Sequence, residues 1–290
     1  MLKNNTNELE RVKENGENTK KFNNEIVSII GTGNYGIAIG KRLLDYGYEI
    51  VYGSRSPNFS YLRECFKNVN SIDSFSVTSI VEAWKRADQI VIFAVSAHDS
   101  IYENLTTEIV NSLEQTDEKR TKTVIEISNL LDTQNPNKIH LSNAEKLQNQ
   151  FNKKLEDSSK TNYEINVVKG FNLLSAYSIT SSFDYSFDKE TATEHQVIPI
   201  AGDSSISNHI IMELCDNIGF KAHNMGSLKK SSLKLELMNK TVLLNWYHPS
   251  LISIAFFIFN LIFIFFNAFF FPKKPYISFF DYLLKFSPYI

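Results

Sequence analysis

A chain of 290 residues with 43% apolar and 21% charged side chains is ordinary globular material, long enough for one sizeable domain with additions. A formal charge of −2 excludes a general basic field for nucleic acid. Cys65 and Cys215, solitary and far apart, exclude both a disulfide framework and a CxxC metal or redox pair.

Residues 1–24 are rich in Asn, Lys and Glu and have no apolar core, so they are not a signal peptide. They bury too little to offset their ordering entropy and are expected to form a disordered tail, with the globular part of the chain on the cytosolic side. From 25 to 228, short β-branched runs alternate with helical stretches. Strands are expected at Ile26–Ile30, Glu49–Tyr52, Gln89–Ala94, Thr123–Ile127, Ile165–Lys169 and Val197–Ala201. Helices are expected at Tyr35–Tyr46, Ile80–Ala87, Tyr102–Glu114, Asn143–Phe151 and Ser205–Ile218. Ser79-Ile80-Val81-Glu82 has capping-box spacing and marks where the second of these helices starts. Polar stretches 115–122, 152–162 and 182–194 read as loops. The fold class is α/β, a Rossmann-like doubly wound parallel sheet.

The stretch Gly31-Thr32-Gly33-Asn34-Tyr35-Gly36 directly follows the first strand and opens a helix, the context a GxGxxG dinucleotide loop requires. Gly31 permits the tight turn, Gly33 lets backbone approach a pyrophosphate, and Gly36 lets the helix pack on the strand. The second strand ends Gly53-Ser54-Arg55 where an NAD site carries a carboxylate. Ser54 can donate to a 2′-phosphate and Arg55 can pair with it, so the expected dinucleotide is NADPH. The next strand ends Ala94-Val95-Ser96-Ala97-His98, at the edge that lines the cofactor cleft. His98 there is either a contact to cofactor or substrate or simply a helix-start histidine. Ser128 and Asn129 hold the same place on the following strand, where Asn129 either hydrogen-bonds the cofactor or caps its turn. Lys169 reads as a charge near the cofactor. No catalytic dyad is expected, because hydride transfer between aligned rings needs no protein acid or base.

The far end differs. From Thr241 to Pro272 there is no Asp, Glu, Lys or Arg, and Pro249–Phe271 is 23 residues of nearly unbroken apolarity. At about 1.5 Å per residue it reaches roughly 34 Å, enough for a bilayer core of about 30 Å. Trp246 and Tyr247 before it, and Lys273, Lys274 and Tyr276 after it, have the character of interfacial anchors. The expected organisation is a tail (1–24), a Rossmann domain (25–228), a juxtamembrane segment (229–248), a transmembrane α-helix (249–271) and an interfacial segment (272–290).

These motifs together resemble the STEAP metalloreductases, whose NADPH domain is similar to that of deazaflavin-dependent NADP oxidoreductases. The resemblance runs from about Glu25 to Phe271. It rests on Gly31–Gly36, Gly53-Ser54-Arg55, Ile127-Ser128-Asn129, Ser142-Asn143-Ala144-Glu145, Val168-Lys169-Gly170-Phe171-Asn172, Gly202-Asp203 and Met225-Gly226-Ser227-Leu228. It implies that Gly31, Thr32, Gly33, Asn34, Tyr35, Gly36, Ser54, Arg55, Ala94, Val95, His98, Asn129 and Gly170 touch NADPH. It further implies that FAD approaches the loop after Asn172, with Tyr177 where the family usually has Trp and Asp184 as the matching flavin-side Asp. Fe(III) or Cu(II) would be the electron acceptor, and an endosomal or plasma membrane the location. The family's Arg-Glu-His-Tyr turn is replaced here by Ser96-Ala97-His98-Asp99.

Haem b belongs to the six-helix bundle of full-length relatives. No histidine lies within Pro249–Phe271, so this chain is not expected to ligate it. The chain resembles the N-terminal part of a family member, a truncated product or a natural short form. The alternative function is a membrane-anchored NADP-binding partner without independent activity, pairing with itself or with full-length relatives. A soluble dehydrogenase would require Pro249–Phe271 to be core.

Overall fold

Strand β1 (Ile26–Ile30) lacks polar alternation, and Val27, Ser28, Ile29 and Ile30 are all buried, as a central strand covered on both faces requires. The computed structural model describes residues 25–67, 74–130, 141–180 and 197–238. After β1 come α1 (Asn34–Asp45), β2 (Glu49–Gly53), α2 (Phe59–Cys65), β3 (Phe75–Thr78), α3 (Ile80–Arg86), β4 (Ile90–Phe93) and α4 (Asp99–Asn111). The chain continues through β5 (Arg120–Glu126), α5 (Asn143–Asp157), β6 (Tyr163–Lys169), α6 (Ala176–Thr180), β7 (Val197–Gly202), α7 (Ser205–Asn217) and β8 (Lys221–Asn224). A π-turn at Leu228–Ser232 leads into helical residues 233–238.

The strands make one 8-stranded sheet in the order β3-β2-β1-β4-β5-β6-β7-β8. Pairs from β3 across to β6 are parallel, whereas β7 runs antiparallel to β6 and carries β8 parallel beside it. The doubly wound α/β expectation therefore holds, with a reversed pair at one edge. One face packs Ile37, Leu43, Tyr48, Phe66, Ile211 and Leu214 against the sheet. The other packs Trp84, Tyr102, Ile109, Leu147 and Phe151, with the Trp84 and Phe151 rings stacked at 5.8 Å.

Some boundaries differ from expectation for physical reasons. Residues 152–157, expected as loop, continue α5, because Leu155 extends the buried stripe of Leu147 and Phe151 by one more turn. Strand β5 begins at Arg120, inside the expected 115–122 loop, because its register pairs Arg120 with Tyr163 well before the buried part begins. The domain does not end at 228: Ser231, Ser232, Leu235 and Glu236 are buried in it. At Ser79 only half the capping box forms, with the Ser79 hydroxyl accepting from Glu82 N at 3.2 Å. The complete reciprocal box is at Ser142 and Glu145, on α5.

The tail 1–24, the loop 182–194 and the candidate span Pro249–Phe271 with the adjoining segment 272–290 lie outside the described residues. Among the described residues no helix is long and apolar enough to cross a membrane.

Helix α1 lies close to β2 because Gly40 makes room for a buried tyrosine. A Cβ at Gly40 would sit 1.8 Å from the Tyr52 hydroxyl oxygen, and that hydroxyl donates to Gly36 O at 2.9 Å inside the core. Gly40→Ala is expected to lower unfolding free energy by about 2 kcal/mol or more, through overpacking and a stranded acceptor. Urea titration checks this, and a Tyr52→Phe background, which removes the clashing oxygen, should shrink the penalty.

Candidate functional site

Strand order reverses between β1 and β4, and the crevice outside the strand ends at such a point is where this fold takes ligands. Gly31, with φ +118, follows β1 directly, and a Cβ there would lie 2.3 Å from Ala94 O at the end of β4. A Cβ at Gly36 would lie 2.4 Å from Gly31 O. The loop therefore follows its path only with glycine at both positions. Around Gly33 there is open space, with nothing within 4 Å of a notional Cβ.

Gly33 is also the N-cap of α1, which has no side-chain cap and no acidic residue in its first turn. Asn58, Ser79, Ser142 and Ser204 cap the starts of α2, α3, α5 and α7 with side-chain acceptors. The first N–H groups of α1 are left to meet an anion from outside the helix. Asn34 is exposed at this end. The Tyr35 side chain instead leaves the loop, its hydroxyl donating to Phe171 O, and burial pushes its phenol up from the ordinary tyrosine value.

A cleft of about 360 Å³ opens beside the glycine loop. Gly31, Thr32, Gly33, Ser54, Arg55, Ala94 and Val95, all singled out from the sequence, line it. Arg55 is exposed and forms no ion pair among the described residues. His98, the N-cap residue of α4, is exposed and outside this lining. Sequence reasoning missed the far wall, Ile101, Asn104, Leu105 and Glu108, which fall on one face of α4 at i, i+3, i+4 and i+7. That spacing was visible, but nothing in the sequence said that the face would border a cleft.

A second group gathers at the ends of β5 and β6. Asn172 Nδ2 donates to Asn129 Oδ1 at 2.9 Å and to Leu235 O at 3.0 Å, and Asn129 Nδ2 donates to Asn172 O at 3.1 Å. Asn172 Oδ1 is buried with no partner among the described residues. Gly170 is buried, and Phe171 holds φ 61, a left-handed conformation uncommon for a bulky residue. Tyr177 is 75% exposed on α6. Asp184 lies outside the described residues.

Lys169 does not face the cofactor cleft as its sequence position suggested. It is fully buried, with Nζ 2.6 Å from Glu126 Oε2 and 3.1 Å from Glu236 Oε1, and it also donates to Ser128 O. Tyr102 donates to Glu126 Oε1 at 2.7 Å, and Glu236 accepts from Asn143 N at 3.0 Å, at the start of α5. One ammonium thus faces two carboxylates away from water. Burial pushes the Glu236 carboxyl up to about 7, opposed by the Lys169 charge and the Asn143 N–H and reinforced by the Glu126 charge.

Comparison with known proteins bears on the family and the fold. Residues 26–130 match the family described as NADP oxidoreductase, coenzyme F420-dependent. The chain carries an NADP-binding oxidoreductase domain. It is 25% identical over 234 residues to rat metalloreductase STEAP3, covering 80% of this chain and 40% of that protein. It is 25% identical over 248 residues to mouse metalloreductase STEAP2, covering 85% of this chain and 42% of that protein. The chain therefore spans less than half the length of these relatives. In fold, the NADP-binding domain is similar to an Arthrobacter protein described as an F420-dependent NADP-reductase, with TM-score 0.57, 19% identity, and coverage of 77% of this chain and 93% of that one. A Sinorhizobium meliloti protein is similar at TM-score 0.52 and 21% identity, covering 72% and 88% of the two chains.

The raised Glu236 carboxyl has a pH signature. Its folded value lies above the ordinary 4.5, so the native state holds the extra proton. Its contribution is complete below about 4.5 and is lost as pH rises through about 7, on the order of 3 kcal/mol. Denaturant midpoints measured from pH 5 to 8 should fall more steeply for the natural protein than for Glu236→Gln, whose amide still accepts from Asn143 N. Identical slopes would contradict this assignment.

Proposed function

We propose that this domain is the NADPH-binding part of a metalloreductase-type oxidoreductase, which passes hydride from NADPH to a flavin for reduction of ferric or cupric ion. The observation that carries the reading is the meeting within one cleft of a helix start without a side-chain cap and an arginine that forms no ion pair among the described residues. Both present N–H donors at the surface of the cleft, and a 2′-phosphorylated dinucleotide brings phosphates to both. In this reading the N–H groups of residues 33–36 hold the pyrophosphate. Ser54 and Arg55 hold the 2′-phosphate, and the absence of a carboxylate at Gly53 leaves room for it. Ala94 and Val95 wall the ribose side, with His98 at its rim.

Bound NADPH supplies a hydride from its nicotinamide. The chain's own residues then have to orient the ring and keep water away from it. Asn129, Gly170 and Asn172 suit that task, since the mutual amide pair holds both turns in one arrangement. For FAD, Tyr177 offers an exposed aromatic face next to that turn in sequence, and Asp184, outside the described residues, is the match to the family's flavin-contacting Asp by resemblance alone. For haem the described residues offer no fit, because His98, His209 and His223 are each exposed; His140, His195 and His248 lie outside the described residues. Pro249–Phe271 is assigned as a membrane anchor on its length and apolarity, with the NADP-binding domain on the cytosolic side of an endosomal or plasma membrane.

Arg55→Ala is expected to weaken NADPH binding about 10- to 100-fold while leaving NADH binding nearly unchanged, as calorimetric titration would report. NADPH oxidation with added FAD and a ferric chelate, above the Arg55→Ala background, supports the reductase. Tight NADPH binding without turnover points instead to a non-catalytic binding partner.

A further inference from the structure

The part of the cleft lined by α4 and the start of α3 has a composition that binding of phosphates does not explain. Ile80, Ile101 and Leu105 make an apolar surface, and Asn104 and Glu108 stand on the same face of α4 at its polar edge. The other carboxylates pointing outward from α4 are neutralised by lysines of α5: Asp99 pairs with Lys146 at 3.0 Å and Glu103 with Lys154 at 2.8 Å. Glu108 has no such partner among the described residues, and neither its carboxylate nor the Asn104 amide makes a side-chain hydrogen bond there. A lone carboxylate in a cleft that attracts phosphate works against the ligand by Coulomb repulsion. It ceases to oppose the ligand if the ligand brings it a hydrogen-bond donor.

An adenosine 2′-phosphate has donors in two places, the 6-amino group of the base and the 3′-hydroxyl of the ribose. The apolar surface favours the base, because a flat ring lies against aliphatic side chains and leaves its polar edge at their margin. We infer that Glu108, assisted by Asn104, reads the 6-amino edge of adenine, so that this cleft selects adenine dinucleotides over those with hypoxanthine. The inference rests on the reading that the cleft holds NADPH. Hypoxanthine has a carbonyl in place of the amino group at C6 and a hydrogen on N1; with Glu108 on the C6–N7 side of the base, that carbonyl faces it with lone pairs against a negative charge, while the N1–H points away. Replacing that carboxylate by an amide supplies a donor and removes the charge. Specificity here arises from a repulsive element aimed at the wrong base as much as from an attraction to the right one.

The test is a calorimetric titration of the protein and of Glu108→Gln with NADPH and with its hypoxanthine analogue. Glu108 is exposed, so the substitution does not disturb the core. The natural protein is expected to bind NADPH about tenfold more tightly than the analogue, and Glu108→Gln to bring the two within about twofold or reverse their order. Equal affinities in the natural protein would overturn the inference while leaving the NADPH reading intact. So would a variant that weakens both nucleotides by the same factor, since that result belongs to a ribose contact. Failure of NADPH itself to bind would overturn both.

Discussion

The site depends on how closely the backbone leaving β1 passes the end of β4. Gly31 comes near enough to Ala94 O that no side chain fits between them, and Gly36 comes as near to Gly31 O. These two approaches aim the start of α1 at the crevice and leave its N–H groups uncapped. Everything on the cleft floor is set by that geometry. Ser54 and Arg55 directly follow the neighbouring strand β2, whose end is held by Gly31 N donating to Gly53 O at 3.0 Å. A larger residue at either glycine would push the helix away and separate the groups that meet the phosphates.

The opposite end of the site is held by electrostatics instead of close approach. Lys169 joins the ends of β5 and β6 to residues 233–238, and Glu236 joins those residues to the first turn of α5. Buried charges are costly, and a cluster of this kind is poor evidence of net stabilisation. What it provides is position: Ser128 and Asn129 are fixed from one side by Lys169 and from the other by Asn172. The segment approaching the C-terminal apolar stretch is thereby tied to the turns at the cofactor end of the sheet.

Much of this could be read from residues alone. The buried strands were visible as runs of Ile and Val, and the glycine loop was visible because its spacing coincided with a strand followed by a helix. What escaped had weak local signals. Strand β8, Lys-Ala-His-Asn, is an exposed edge strand with no apolar alternation, and it forms because β7 offers it a ladder. Lys169 looked like a charge near the cofactor because its partner Glu236 lies 67 positions further along the chain. Asn129, expected either to hydrogen-bond the cofactor or to cap its turn, has its amide paired with Asn172, which is distant in sequence. The Asn104 and Glu108 wall was hidden because helical spacing says which residues share a face, not what that face borders.

The most direct test of the account is a crystal structure of the protein with NADP⁺ bound. The pyrophosphate is expected against the backbone N–H groups of Gly33 and Asn34, and the 2′-phosphate within hydrogen-bonding distance of Ser54 Oγ and the Arg55 guanidinium. A dinucleotide lying elsewhere, or with its 2′-phosphate turned to solvent away from Arg55, would contradict it.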